Sequence, residues 1–228
     1  MADHASDDTR GDPLGLGFLP GESPFEIKGV AYLGHMEYVR DNVPGGVDAM
    51  LAEFETDAMR DFFAQRFLAS RRYDIAPLIA AGATCADLLG LENAEFLKRR
   101  TQAQAHADVG GIYRFLLKLI SSRLLAKRLP LFLGQYFNFG TTTTEIVRRG
   151  TVRAHFTGVP QAFVPWFCAV MGTYAEVVMQ LSGATQVASN TSALPSDTAA
   201  TGVRTCTVVL DLIFDSGRDD AESEGCSG

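Results

Sequence analysis

The sequence predicts an α+β protein: an N-terminal helical bundle followed by a β-β-α-β-β unit with a four-stranded antiparallel sheet. Three observations predict it. Apolar residues recur at three- and four-residue spacings over residues 29–132, and the period then changes to two across residues 142–157. An apolar helix over residues 160–181 separates that hairpin from a second strand pair.

The first helix puts Ala31, Tyr32, His35, Met36 and Val39 on one face and stops before Pro44-Gly45-Gly46. Shorter helices follow. One starts at Val47 with Met50, Leu51 and Phe54; one opens at Thr56 and carries Met59, Phe62, Phe63 and Phe67. Another starts at Tyr73 with Ile75, Leu78 and Ile79 apolar, and residues 91–106 read as an exposed helix with Phe96 and Leu97 inward. The pattern is densest from Val109. Ile112, Phe115, Leu116 and Leu119 make one stripe, and Leu124, Leu125, Leu129 and Phe132 make the next.

Residues 142–148 and 152–157 flank Arg149-Gly150 and predict a hairpin with glycine at the turn. In the helix that follows, Pro165 suits the first turn, and Glu176 and Gln180 are among the few polar positions. Gly183 is its stop. Residues 185–189 read as a short strand and 190–202 as a polar loop. Residues 203–214 are the clearest strand, with Cys206, Val208, Leu210, Leu212 and Phe214 on one side.

The formal charge of −7 belongs to the ends of the chain: residues 1–23 and 215–228 each carry −4, which leaves residues 24–214 near +1. Both ends are rich in Asp, Gly, Ser and Glu, so a disordered acidic arm (1–23) and tail (215–228) are expected around one domain (24–214). No basic stretch followed by an apolar one opens the chain, and the longest uncharged apolar run, residues 162–172, is short of a membrane span. A cytoplasmic protein without a membrane span is expected. Cys85, Cys168, Cys206 and Cys226 lack zinc or disulfide-framework spacing; the first three read as buried, reduced thiols.

No catalytic constellation accompanies these elements. His4, His35, His106 and His155 form no zinc pattern, and Gly-x-Ser-x-Gly and a phosphate loop are both missing. A non-enzyme is expected. Lys98-Arg99-Arg100 and Lys118, Arg123, Lys127 and Arg128 are basic, but they read as solvent faces of amphipathic helices rather than a nucleic-acid site.

The pieces FEIKGVAYLGHMEYVR and GIYRFLLKLISSRLLAKRLPLFLGQYFNFG, with the C-terminal helix–strand–strand unit, resemble an uncharacterised paralogous family expanded in myxobacteria. That family is similar to the vinyl-reductase-like and haem-NO-binding superfamily, whose fold also occurs in vesicle-tethering subunits. The resemblance covers residues 25–214, and its motifs are hydrophobic. Residues 202–210, GVRTCTVVL, match in part the ending of the vinyl-reductase-like pattern, a glycine turn, a cysteine and an alternating strand.

The resemblance implies a non-enzymatic sensor or adaptor in signalling that binds a small apolar ligand, a protein partner, or both, and that forms a homodimer. Its haem-binding branch needs a proximal histidine and a Tyr-x-Ser-x-Arg motif. Here the proximal position falls near Tyr113, with His106 about two turns upstream, and Tyr-x-Ser-x-Arg is absent. No cofactor is therefore expected. Haem is the alternative, with His106 or Tyr113 as its first candidates, and a ligand-free structural adaptor is another. The pocket candidates are Tyr113, Arg114, Phe115, Phe132, Tyr136, Phe139, Phe163, Trp166, Phe167 and Tyr174. The aromatic residues among them, together with Phe137, converge on the junction between helices and sheet and serve a packed core equally well.

Overall fold

In the computed structural model, which describes residues 11–109 and 121–215, the four long strands all follow Gly140. The sequence pattern points to one domain over residues 24–214, whereas the chain divides between Phe96 and Leu97 into two compact units.

In the first unit β1 (Glu26–Lys28) pairs antiparallel with β2 (Arg72–Asp74). Helices α1 (Val30–Asn42), α2 (Gly46–Ala52) and α3 (Asp57–Ala64) lie between them in sequence, and α4 (Ala76–Leu88) follows. The segment at Tyr73, expected as the start of a helix, is β2 instead. Pro77 in the first turn of α4 holds the helix start at Ala76.

Tyr32 is wholly buried and stacks on Phe67 at 4.4 Å, with the rings of Phe62 and Phe63 beside it. Its hydroxyl donates to the Asp74 carbonyl. The Asp74 carboxylate accepts from the amides of Gly21 and Ala76, each at 2.9 Å, although burial raises its pKa. Residues 11–23, expected within a disordered arm, are thus held on this unit: Ser23 is buried, and Leu14, Leu16, Phe18 and Leu19 are half-buried. The short apolar run in that arm supplies the burial that its composition as a whole does not.

Helix α5 (Asn93–Asp108) leads into the second unit, which contains α6 (Ser122–Gly134), β3 (Thr141–Arg148), β4 (Thr151–Pro160), α7 (Val164–Ser182), β5 (Thr185–Thr198) and β6 (Arg204–Asp215). One 3-10 turn, Gln161–Phe163, precedes α7. The four long strands form an antiparallel sheet in the order β3-β4-β6-β5.

Val152, Ala154 and Phe156 of β4 and Cys206, Val208, Leu210, Leu212 and Phe214 of β6 are all buried, as strict alternation requires. Helix α7 packs on β5 and β6. It comes close: a Cβ on Gly172 would lie 2.8 Å from Ser189 Oγ. Glu176 anchors the crossing by accepting from Ser189 N at 2.8 Å and Ser189 Oγ at 2.7 Å. Wholly buried side chains such as Phe167 and Leu210 each contribute about 1.5–3 kcal/mol through burial.

Two expectations are corrected in this unit. The polar loop expected at 190–202 is mostly strand, because β5 continues to Thr198 with register shifts near each end. As the sheet's edge it needs no second apolar face and tolerates Pro195. Phe132, expected on the inner stripe of α6, is 53% exposed. The buried stripe is Leu125, Ala126, Leu129, Pro130 and Leu133.

By length and composition Gln161–Ser182 could cross a membrane, but most of its apolar window is buried. The short charge-free run does not reveal this length because Glu176 and a few polar residues interrupt it.

Candidate functional site

The site candidates from the sequence fall into three groups. Tyr113, Arg114 and Phe115 lie outside the described residues. The second group is an aromatic core built where α6 ends, β4 passes and α7 begins. Phe137, which the sequence groups with these aromatic residues, is its centre, with ring centroids 5.1 Å from Phe167, 5.2 Å from Phe139 and 6.4 Å from Trp166. Phe163 meets Phe139 at 5.8 Å, and Phe156 meets Phe167 at 5.2 Å. The space left among Phe137, Phe139, Phe156 and Phe167 is about 10 Å³, roughly one water. At this place the aromatic residues fill their own cavity.

The third group is polar. Asp108, in the last turn of α5, accepts from Gln104 Nε2 at 2.6 Å and from Tyr174 Oη at 2.9 Å. Tyr174 is buried, and its phenol is pushed well above the usual tyrosine range by burial first and by the Asp108 carboxylate second. Tyr136 is raised for the same two reasons in the same order. Phe132 packs edge-on against Tyr136, at 5.9 Å and 75°, from the exposed side of α6. The group offers a carboxylate bonded to the Tyr174 phenol, with the Tyr136 phenol close enough to feel its charge. By its place in the sequence Asp108 reads as a helix-cap residue; the spacing of Gln104 and Asp108, four residues apart, is the signal for the pair.

The first unit holds an open cleft of about 540 Å³. Phe54 and Met59 form its apolar floor, and Asp12, Glu53, Glu55 and Asp87 line it. No local pattern marks it beyond the pair Glu53 and Glu55. Asp12 is committed to its own loop: it accepts from the amides of Leu14 and Gly17, and these bonds hold its pKa low against burial.

No protein-family profile matches the chain, and no curated protein matches it in sequence. Among solved structures it is similar to H-NOX domains. The unliganded Fe(II) H-NOX protein from K. algicida aligns with TM-score 0.53 and 9% identity over 84% of this chain and 98% of that one. An oxygen-binding H-NOX domain related to soluble guanylate cyclases, in its oxygen complex, aligns with TM-score 0.56 and 9% identity over 83% and 96%. An H-NOX structure from work on haem distortion gives TM-score 0.57 and 9% identity over 83% and 96%. At these identities the likeness shows the fold.

Haem needs an axial ligand facing a cavity of a few hundred Å³. Among the described residues three histidines can be placed. His35 is buried on α1 with its ring 6.3 Å from Phe96; His106 is exposed on α5; His155 is partly exposed on β4, 3.6 Å from Glu145. No group of three or more His, Cys, Asp or Glu side chains suited to a metal occurs among the described residues. The aromatic junction is filled. At this junction the described residues leave no room for haem.

Proposed function

We propose that this chain is a non-enzymatic sensor module that uses the H-NOX fold without iron-bound haem and relays a signal to a protein partner. The observation that carries it is the Asp108 group: the fold is that of a ligand sensor, but its aromatic junction is packed and bordered by a carboxylate with two phenols. A small molecule with an apolar body and a hydrogen-bond donor suits that edge. The partial match at residues 202–210 supports placing the chain in the vinyl-reductase-like branch. Homodimerisation, the expected state for that branch, belongs to the same proposal.

The second reading is a haem-based gas sensor. Likeness to an oxygen-binding H-NOX domain over 83% of the chain favours it, and more directly than it favours a haem-free sensor. The donor set weighs the other way. Expression with supplemented haem precursor, followed by absorbance and native mass spectrometry, separates the two. The haem-free reading expects no Soret band and the mass of the bare chain or of a chain with a small organic ligand. A stoichiometric Soret band that is lost on His106→Ala or Tyr113→Phe establishes the haem sensor instead.

A further inference from the structure

We propose that the outer face of α6 docks on an anionic lipid surface. This goes beyond the sensor reading and holds whether or not haem binds. The inner stripe of α6 is buried, while its other side exposes Leu124 (40%), Leu131 (38%) and Phe132 (53%). Arg123, Lys127 and Arg128, all exposed, lie on the same helix, and residues 121–140 contain no acidic side chain. None of the three cations has an ion pair among the described residues. Edge strand β3, packed against α6, adds exposed Ile146 and Val147.

Charge selects an anionic partner, and the apolar residues select its kind. Leu124, Leu131 and Phe132 find no complement on a phosphate backbone, so a nucleic acid would leave them in water. A protein groove would need a shape that matches a ridge where three cations lie among the three apolar side chains. A lipid interface accepts that mosaic: the apolar side chains enter the acyl boundary, and the Lys and Arg stems lie along it with their charges at the headgroups. Each cation near an anionic surface adds about fivefold to the affinity.

The test is sedimentation of the full chain with sucrose-loaded vesicles of phosphatidylcholine alone or mixed with phosphatidylserine. Binding to the mixed vesicles alone is expected, weakened by added salt. Lys127→Glu with Arg128→Glu should lower that binding at least about 25-fold. Phe132→Ser should weaken it without changing the charge. All these positions are exposed, so unchanged circular dichroism will show that the variants fold. Failure to bind mixed vesicles overturns the proposal, as does binding that the double variant leaves unchanged. Binding to duplex DNA or to an acidic peptide with no binding to vesicles also overturns it and assigns the face to that partner.

Discussion

Tyr174 Oη donates to Asp108 Oδ2 at 2.9 Å and so ties the middle of α7 to the last turn of α5. A carboxylate at that end of a helix faces the unpaired carbonyls and the negative end of the helix dipole. Its position is tolerable because Gln104 and Tyr174 both donate to it. Tyr174→Phe removes one donor and leaves Asp108 underserved. A loss of about 1–2 kcal/mol is expected, read by urea unfolding at neutral pH. An unchanged midpoint would mean that water replaces the phenol at no cost.

The same pair sets an alkaline limit. Burial and the Asp108 charge raise the Tyr174 and Tyr136 phenols in the folded chain, so the folded state holds their protons more tightly than the unfolded one. Their contribution is complete below the unfolded phenol value of about 10 and is lost as pH rises toward the folded values. Thermal melts from neutral pH upward should fall in this range, and less steeply in Tyr174→Phe. Parallel curves for the two proteins would remove Tyr174 from the account.

On the sheet, Arg153 and Asp211 are cross-strand partners in register and meet in a fork, Nε to Oδ1 at 2.7 Å and Nη2 to Oδ2 at 2.8 Å. Hydrogen bonding to Arg153 holds the Asp211 carboxyl below its usual value. A depressed carboxyl adds stability that is present above the unfolded value of about 3.9 and is lost as pH falls through the folded one. Asp211→Asn should therefore be less stable than the parent at neutral pH, and the gap should close in acid. The pair is partly solvated, so added salt should narrow the gap as well.

How far the sequence reaches depends on where each residue gets its partners. The inward side of β6 is legible at every position because a central strand buries one face and alternation alone assigns it. β5 is not: an edge strand takes its hydrogen bonds from β6 and asks little of its own side chains, so NTSALPSDT reads as a loop. Phe132 misleads differently. Leu124, Leu125, Leu129 and Phe132 keep helical spacing, but α6 is apolar on more than one side, and periodicity cannot say which side the sheet takes. The aromatic junction is legible as a set, Phe137 included, yet the pairing of Asp108 with Tyr174, 66 residues apart, depends on a tertiary contact that no local pattern encodes.

Thiol chemistry offers an independent check on the cores. Burial pushes the Cys85 thiol up to about 12, and Cys206 is buried on the inner side of β6. Cys168 on α7 is raised too, by burial first, but it is only half-buried. Since the thiolate is the reactive form, iodoacetamide at neutral pH should label Cys168 slowly and leave Cys85 untouched until denaturant is added. Peptide mass spectrometry reads each site. Rapid labelling of Cys85 in the native chain would show that α4 opens readily.

The β3–β4 turn should be the costliest place in the sheet to add a methyl group. Gly150 has φ +71°, and a Cβ there would lie 2.5 Å from the Phe214 carbonyl oxygen. That contact is backbone on backbone, since Phe214 also donates its amide to the Gly150 carbonyl at 2.9 Å, so neither partner can swing aside. Gly183, the stop of α7, has φ +100°, but a methyl group on it would meet nothing within 4 Å. It isolates the cost of the left-handed backbone, about 1–3 kcal/mol for a non-glycine residue. Gly150→Ala adds the clash to the same strain and must pull the end of β6 from the hairpin. Urea unfolding should therefore rank Gly150→Ala below Gly183→Ala and both below the parent; equal losses would show that the hairpin end yields to the methyl group freely.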